Sequence, residues 1–143
     1  MRNNNATNVN NKGKAALYCR VASASPDDSD VVEHQQGYLR DFAIQQGFDD
    51  FVEYLDNGYS GNNLDRPAFV KMDADIKEGR FEVVIVRNIG RVARNCILAE
   101  NWIRGLDAHG VKFISADGMH ERSSFILGIY RELAQNSRHR INK

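Results

Sequence analysis

The chain has 143 residues, of which 42% are hydrophobic and 27% charged, and its formal net charge is zero. That length supports one domain with a real core rather than two, and the composition is that of an ordinary globular protein. The balanced charge excludes a global basic field, so any contact with nucleic acid must come from a local cluster. No apolar stretch is long enough to span a bilayer, and the N-terminus lacks the apolar middle of a secretory signal. The expected location is therefore the cytoplasm, or the nucleoid within it. The two cysteines, Cys19 and Cys96, lie in apolar stretches and are expected to be reduced core thiols of an intracellular protein.

Residues 1–14 are rich in asparagine, with Val9 as their large apolar side chain. Such a segment buries too little to offset the entropy of ordering, so a floppy leader is expected. Ala15 to Val21 reads as a buried strand. Ala22 to Asp30, small and polar with Pro26, reads as a loop, and Asp28, Ser29 or Asp30 can cap the next helix. That helix is predicted from about Val31 to Gln46, with Val31, Val32, Gln35, Leu39, Phe42 and Ala43 inward and Gly47 ending it. Phe51 to Asp56 is a second strand, and Gly58 to Asn63 a loop. Pro67 suits the first turn of a helix whose apolar face is Phe69, Met72 and Ile76.

Phe81 to Val86 is almost continuously apolar, as expected for the buried centre of a parallel sheet. A helix follows from about Cys96 to His109, with Ile97, Leu98, Trp102, Ile103 and Leu106 inward, and Gly110 ends it. Val111 to Ser115 is a fourth strand, and a last helix runs from about Ser123 toward Arg138. Regular alternation of strand and helix implies an α/β domain with a mainly parallel sheet of four or five strands. No internal repeat and no metal-spaced Cys/His cluster is present in the sequence.

In such sheets the site lies beyond the C-terminal ends of the strands. Those ends offer Arg20, Ala22 and Ser23 from the first strand and Asp56, Gly58 and Ser60 from the second. Asn88, Gly90, Arg91 and Arg94 follow the third, and Asp117 the fourth. Several guanidiniums around one hydroxyl point to chemistry on a phosphate, because the planar arginine fork matches phosphate oxygens and keeps its charge. Each residue also has a plainer reading. Arg91 and Arg94 can be a solvated helix face, and Asp56 a turn cap. Ser60-Gly61 can be loop chemistry, Arg66 can pair with Asp65 or another acid at the surface, and Tyr18 can be core.

The order of these pieces resembles the catalytic domain of the serine recombinases, the resolvase/invertase family, and within it the large recombinases of conjugative transposons and phages. The likeness is carried by Tyr18-x-Arg20-Val21, Gln35-x-x-x-Leu39 with Gly47, and Asp56-x-Gly58-x-Ser60-Gly61. It continues in Arg66-Pro67-Ala68-Phe69, Arg91-Val92-Ala93-Arg94-Asn95, and Gly110 to Ser115, spanning about residues 15–140. It implies a three-layer resolvase-like fold ending in a long helix. It also implies attack by a serine on the DNA phosphodiester to give a covalent 5′-phosphoserine, with Arg20, Arg66, Arg91 and Arg94 stabilising the pentavalent phosphorus. Tyr18, Gln35, Asp56 and Ser60 are implied as supporting residues. No metal or nucleotide cofactor is implied, since a cage of donors can stand in for metal ions in phosphoryl transfer.

By the same resemblance the partners are duplex DNA and further copies of the chain, a dimer that pairs into a synaptic tetramer. Residues 15–120 would form the catalytic domain and residues 121–143 the start of the long dimerisation helix. Arg131, Arg138, Arg140 and Lys143 on it would meet DNA phosphates, and a DNA-recognition domain would follow. The chain departs from the family at Ala22, where the nucleophilic serine is expected, at Gly90, where aspartate or serine is usual, and at Asn88, where aspartate is frequent. Either Ser23 replaces the missing nucleophile, or the domain is catalytically impaired and serves dimerisation or DNA docking. An α/β enzyme acting on a phosphorylated metabolite is a third class, disfavoured because no glycine-rich phosphate loop follows the first strand.

Overall fold

In the computed structural model, residues 13–22 and 29–118 are described. They form β1 (Lys14–Val21), α1 (Ser29–Gln45), β2 (Asp50–Asn57), α2 (Pro67–Lys77), β3 (Val83–Val86), a 3-10 turn (Ile89–Arg91), α3 (Cys96–Gly105), a second 3-10 turn (Leu106–His109) and β4 (Lys112–Ser115). The expected last helix, with Arg131, Arg138, Arg140 and Lys143, lies outside the described residues, as does the leader to residue 12.

The four strands make one parallel sheet in the order β2-β1-β3-β4. Alternation along β1 divides its side chains between the two faces. Ala15, Leu17, Cys19 and Val21 pack with Val32, Leu39 and Ala43 of α1. Ala16 and Tyr18 pack on the other face with Phe69, Met72 and Ile76 of α2 and Ala99 of α3. Helices thus cover both faces, which is why the central strand β3 reads Val-Val-Ile-Val and is buried throughout. Each of those side chains contributes about 1.5–3 kcal/mol of burial. The result is the three-layer α/β arrangement expected from the sequence.

Several boundaries and faces differ from the expectation. β1 begins at Lys14, one residue early, and β3 at Val83, two residues late, although Glu82 already donates to the Lys14 carbonyl and accepts from the Lys112 amide. The helix predicted to run unbroken to His109 tightens into a 3-10 turn after Gly105, a poor helix former, and stops at Gly110 with φ 68°. Val31 and Ile97, expected inward, are 45% and 58% exposed. Val31 lies beside the buried stripe of α1 rather than on it, and Ile97 sits in the first turn of α3, ahead of the residues that meet the sheet. The two cysteines also part company: Cys19 is buried in the α1 layer, whereas Cys96 is exposed as the first residue of α3, so Cys96 is not a core thiol.

Candidate active site

From β1 the chain crosses to β2 on one side, and after β3 it continues to β4 on the other. The switch point therefore lies between the C-terminal ends of β1 and β3, where the general rule places the site. Arg20 is the penultimate residue of β1, and Arg91 closes the 3-10 turn that follows β3. The two are brought together directly. Arg20 Nε donates to the Arg91 carbonyl (3.3 Å), and Arg91 Nη1 donates to the Arg20 carbonyl (3.1 Å). Arg20 also donates through Nη1 to the Tyr59 carbonyl (3.1 Å) and through Nη2 to the Gly90 carbonyl (3.0 Å).

Arg66 enters from the residue before α2 and is 1% exposed, so it is no surface ion-pairing residue. Its Nε donates to the Asn63 carbonyl (3.0 Å), Nη1 to the Tyr18 hydroxyl (2.8 Å) and the Arg91 carbonyl (3.0 Å), and Nη2 to the Val92 carbonyl. The guanidinium also lies over the Phe69 ring, 4.9 Å from its centroid. Tyr18 passes the network on, donating to Asp56 Oδ2 (2.7 Å). Burial first, and the bond to Asp56 second, push the Tyr18 phenol well above the ordinary tyrosine range, so it stays an O–H donor. Asp56 completes the chain by accepting from the amides of Ala68 (2.8 Å) and Phe69 (3.0 Å), donors at the start of α2 that have no carbonyl partner within the helix.

The segment Arg91-Val92-Ala93-Arg94 does not form a helix face. Val92 and Ala93 are plugged into the core at 0% and 2% exposure. This apolar pair fixes the arginines that flank it. Arg94 is exposed, and its amide donates to the Gly61 carbonyl (2.9 Å). Asn95 then caps α3, its Oδ1 accepting from the amides of Ile97 (2.9 Å) and Leu98 (3.1 Å).

Of the other expected site residues, Ser60 Oγ accepts from the Asn62 amide (3.0 Å) in the loop beside the arginines. Gln35 is on the opposite face of the sheet, where its Oε1 accepts from Cys19 Sγ (3.6 Å). Asp117 accepts from Ser115 Oγ (2.8 Å) at the exit of β4. Ala22 is described and exposed, and Ser23 and Ser25 lie outside the described residues. The partners missed by sequence reasoning are backbone carbonyls: those of Tyr59, Asn63, Gly90, Arg91 and Val92. No residue-type pattern advertises a carbonyl. The Asn95 cap did have a signal, an asparagine immediately before an apolar helical run.

Electrostatically the site gathers Arg20, Arg66, Arg91 and Arg94, with Asp56 as the carboxylate tied to them through Tyr18. Burial, then the neighbouring Arg66 and Arg91 cations, push the Arg20 guanidinium below its usual value. Like charges this close repel, and an anion placed among them relieves the repulsion. Arg91 Nε is buried and without a hydrogen-bond partner among the described residues. Grouped cations of this kind attract an oxyanion by charge, and guanidinium N–H groups not spent on carbonyls suit its oxygens. Among the described residues no group of three or more His, Cys, Asp or Glu is placed to hold a metal ion, and no helix is long and apolar enough to cross a membrane.

Comparison with known proteins gives the same architecture. Residues 15–143 match the family described as Resolvase, N terminal domain. No match is found among curated proteins. Among solved structures, the chain is similar to the N-terminal catalytic domain of TP901-1 integrase, with 24% identity and a TM-score of 0.72, covering 87% of this chain and 98% of that one. It is also similar to a resolvase family site-specific recombinase from Streptococcus pneumoniae, with 28% identity and a TM-score of 0.68, covering 92% and 91%. A third likeness is to the C-terminal catalytic domain of ISC1926 TnpA, an IS607-like serine recombinase, with 26% identity and a TM-score of 0.63, covering 86% and 84%. The match to the integrase bears on fold alone. Taken with the family match over nearly the whole chain, the strand order and the arginines at its switch point lead to one assignment: this chain belongs to the resolvase N-terminal domain family of serine recombinases.

Proposed function

We propose that the chain is the catalytic domain of a site-specific recombinase that cuts and rejoins duplex DNA through a covalent 5′-phosphoserine link, with Ser23 as the nucleophile. The observation that carries this reading is the meeting of Arg20, Arg66 and Arg91 at the switch point, with Arg94 held beside them through Gly61. In the reaction the Ser23 Oγ bonds to phosphorus, its proton leaves to solvent or a neighbouring base, and the bond to the 3′ oxygen breaks, that oxygen departing with a proton. One phosphodiester bond is exchanged for another, so the bond energy is conserved in the serine ester and the reverse attack by a 3′ hydroxyl reseals the strand with no added energy source.

Position 23 is compatible with this role because regular pairing of β1 ends at Val21, whose carbonyl accepts from the amides of Gly58 (2.6 Å) and Tyr59 (3.2 Å). Ala22, the next residue, is a bend outside the ladder, so the alternation that would turn residue 23 away from Arg20 need not carry past it. Dimerisation, synapsis as a tetramer, phosphate contacts from Arg131, Arg138, Arg140 and Lys143, a separate DNA-recognition domain and a nucleoid-associated cytoplasmic location complete the proposal. A second reading, a recombinase-like domain retained for dimerisation or docking, follows if Ala22 stands, as the resemblance implies, where the family carries its serine.

Incubation with a nicked suicide duplex, followed by denaturing electrophoresis, separates the two. The enzyme reading expects a protein–DNA adduct that disappears in Ser23→Ala. An adduct absent from the wild-type chain but gained by Ala22→Ser establishes the docking reading instead.

A further inference from the structure

Gly61 is buried, in a loop, and its φ is outside the left-handed region. Nothing in its backbone conformation demands glycine, so the reason must be spatial. A Cβ built there would lie 2.9 Å from Arg20 Nη2, 3.1 Å from Arg20 Cζ and 3.0 Å from Arg94 Cγ. These contacts are with two of the arginines of the site and with no backbone. Side-chain tips of this kind usually swing aside at little cost. Arg20 is different, because its three nitrogens are fastened to the carbonyls of Arg91, Tyr59 and Gly90. It cannot move without breaking that set. Gly61 also fixes Arg94 from the other direction, through its own carbonyl to the Arg94 amide.

We propose that Gly61 is a positioning residue, whose missing side chain is the space that lets the Arg20 guanidinium and the Arg94 stem stand side by side over one phosphate. The inference rests on the proposed reading of these arginines as phosphate ligands. It assigns to the Ser60-Gly61 pair a role that loop geometry alone does not require. Two cations stand close together here, and burial and neighbouring arginines already disfavour charge on Arg20, so the pair is disposed to disperse unless the packing around it holds. The carbonyls hold Arg20 in place, and the bare Cα of Gly61 leaves room beside it. An added methyl group pushes the two guanidinium-bearing chains apart while leaving the hydrophobic core untouched.

The test compares wild type, Gly61→Ala, Arg20→Lys and the double variant in ¹⁵N-labelled protein. Arginine Nε–H resonances report the geometry directly, and titration with inorganic phosphate reports the anion site. Both readouts are independent of DNA cleavage, so they stand even if the recombinase reading fails. The expected result is a folded Gly61→Ala chain with a displaced Arg20 Nε–H resonance and phosphate affinity reduced at least tenfold. In the Arg20→Lys background, where the branched head is gone, adding Gly61→Ala should change phosphate affinity less than threefold. Equal losses in both backgrounds overturn the proposal, as does an unmoved Arg20 resonance. A Gly61→Ala chain that fails to fold overturns it too, because loosening the Arg20 bonds alone should not unfold the domain. If wild type binds no phosphate while the Arg20 resonance still moves in Gly61→Ala, the steric role stands and the phosphate reading is what fails.

Discussion

Arg20 and Arg91 hold each other by the backbone, each guanidinium donating to the other's carbonyl at 3.3 and 3.1 Å. The exit of β1 and the turn after β3 are thereby locked together by the same side chains that carry the site's charge. Stability and function are separable here by depth. Arg20 is 5% exposed and bonded through every nitrogen, whereas Arg94 is exposed. Arg20→Ala takes this donor from the Tyr59 and Gly90 carbonyls, that of Arg91 keeping Arg66 Nη1, and is expected to lower stability by about 1–3 kcal/mol, softened by relief of repulsion from the other arginines. Arg94→Ala is expected to change stability by no more than about 0.5 kcal/mol while weakening phosphate and DNA binding. Urea unfolding and phosphate titration of the two variants check this contrast.

Arg66 is buried with four hydrogen bonds, three of them to carbonyls and one to the Tyr18 hydroxyl. Its replacement takes the donor from the Asn63 and Val92 carbonyls and from the Tyr18 hydroxyl, while the Arg91 carbonyl keeps Arg20 Nε. Arg66→Met, which retains apolar bulk, is expected to cost about 3 kcal/mol or more, measured by urea unfolding. Arg66→Lys cannot reproduce the fork and should recover little of that loss. A loss below about 1 kcal/mol in Arg66→Met would show that these bonds contribute little to the fold.

The buried tyrosines and Asp75 set two pH limits. The Tyr54 hydroxyl donates to Asp75 at 2.6 Å, and this bond, aided by Lys71 and Arg80, holds the Asp75 carboxyl below its usual range. A depressed folded pKa favours the native state above the unfolded value, about 4 for aspartate, and that contribution disappears as pH falls through the folded value. Asp75→Asn should therefore flatten the acid side of the stability profile. Burial first, and hydrogen bonding to the carboxylates second, raise Tyr18 and Tyr54 above the ordinary phenol. Their contribution is complete below the unfolded value of about 10 and is lost as pH rises beyond it. Thermal unfolding scans from pH 3 to 11 should show both edges. Tyr54→Phe should move each, because it removes the donor to Asp75 as well as one raised phenol.

The cysteines differ in reach. Cys19 is buried against α1, and burial pushes its thiol above the ordinary value, whereas Cys96 is exposed. At pH 8 an alkylating reagent should modify Cys96 promptly and Cys19 only on unfolding, as peptide mass mapping will show. Prompt modification of both would contradict the packing of β1 against α1.

The layered α/β fold was legible because β3 is an uninterrupted apolar run and glycines mark the ends of the helices. The arginines were legible as a set because they recur at strand exits. Their division of labour was not. Arg66 beside Asp65 reads as a surface ion pair, and only the fold shows it buried against the Phe69 ring and bonded to carbonyls from three other positions. Asp56 caps a helix that begins only at Pro67, a distance at which no local capping pattern applies. Val31 and Ile97 were misplaced because each lies next to the buried stripe of its helix, where apolar character alone does not fix the side that faces inward.

The central claim is that guanidiniums from separate stretches of chain serve one phosphate. A crystal structure of the domain soaked with tungstate, located by its anomalous signal, tests this most directly. The account predicts one ordered oxyanion within about 3 Å of nitrogens from Arg91 and Arg94 and at least one other of the named arginines. Tungstate bound elsewhere, with Arg91 and Arg94 turned to different surfaces, would contradict it.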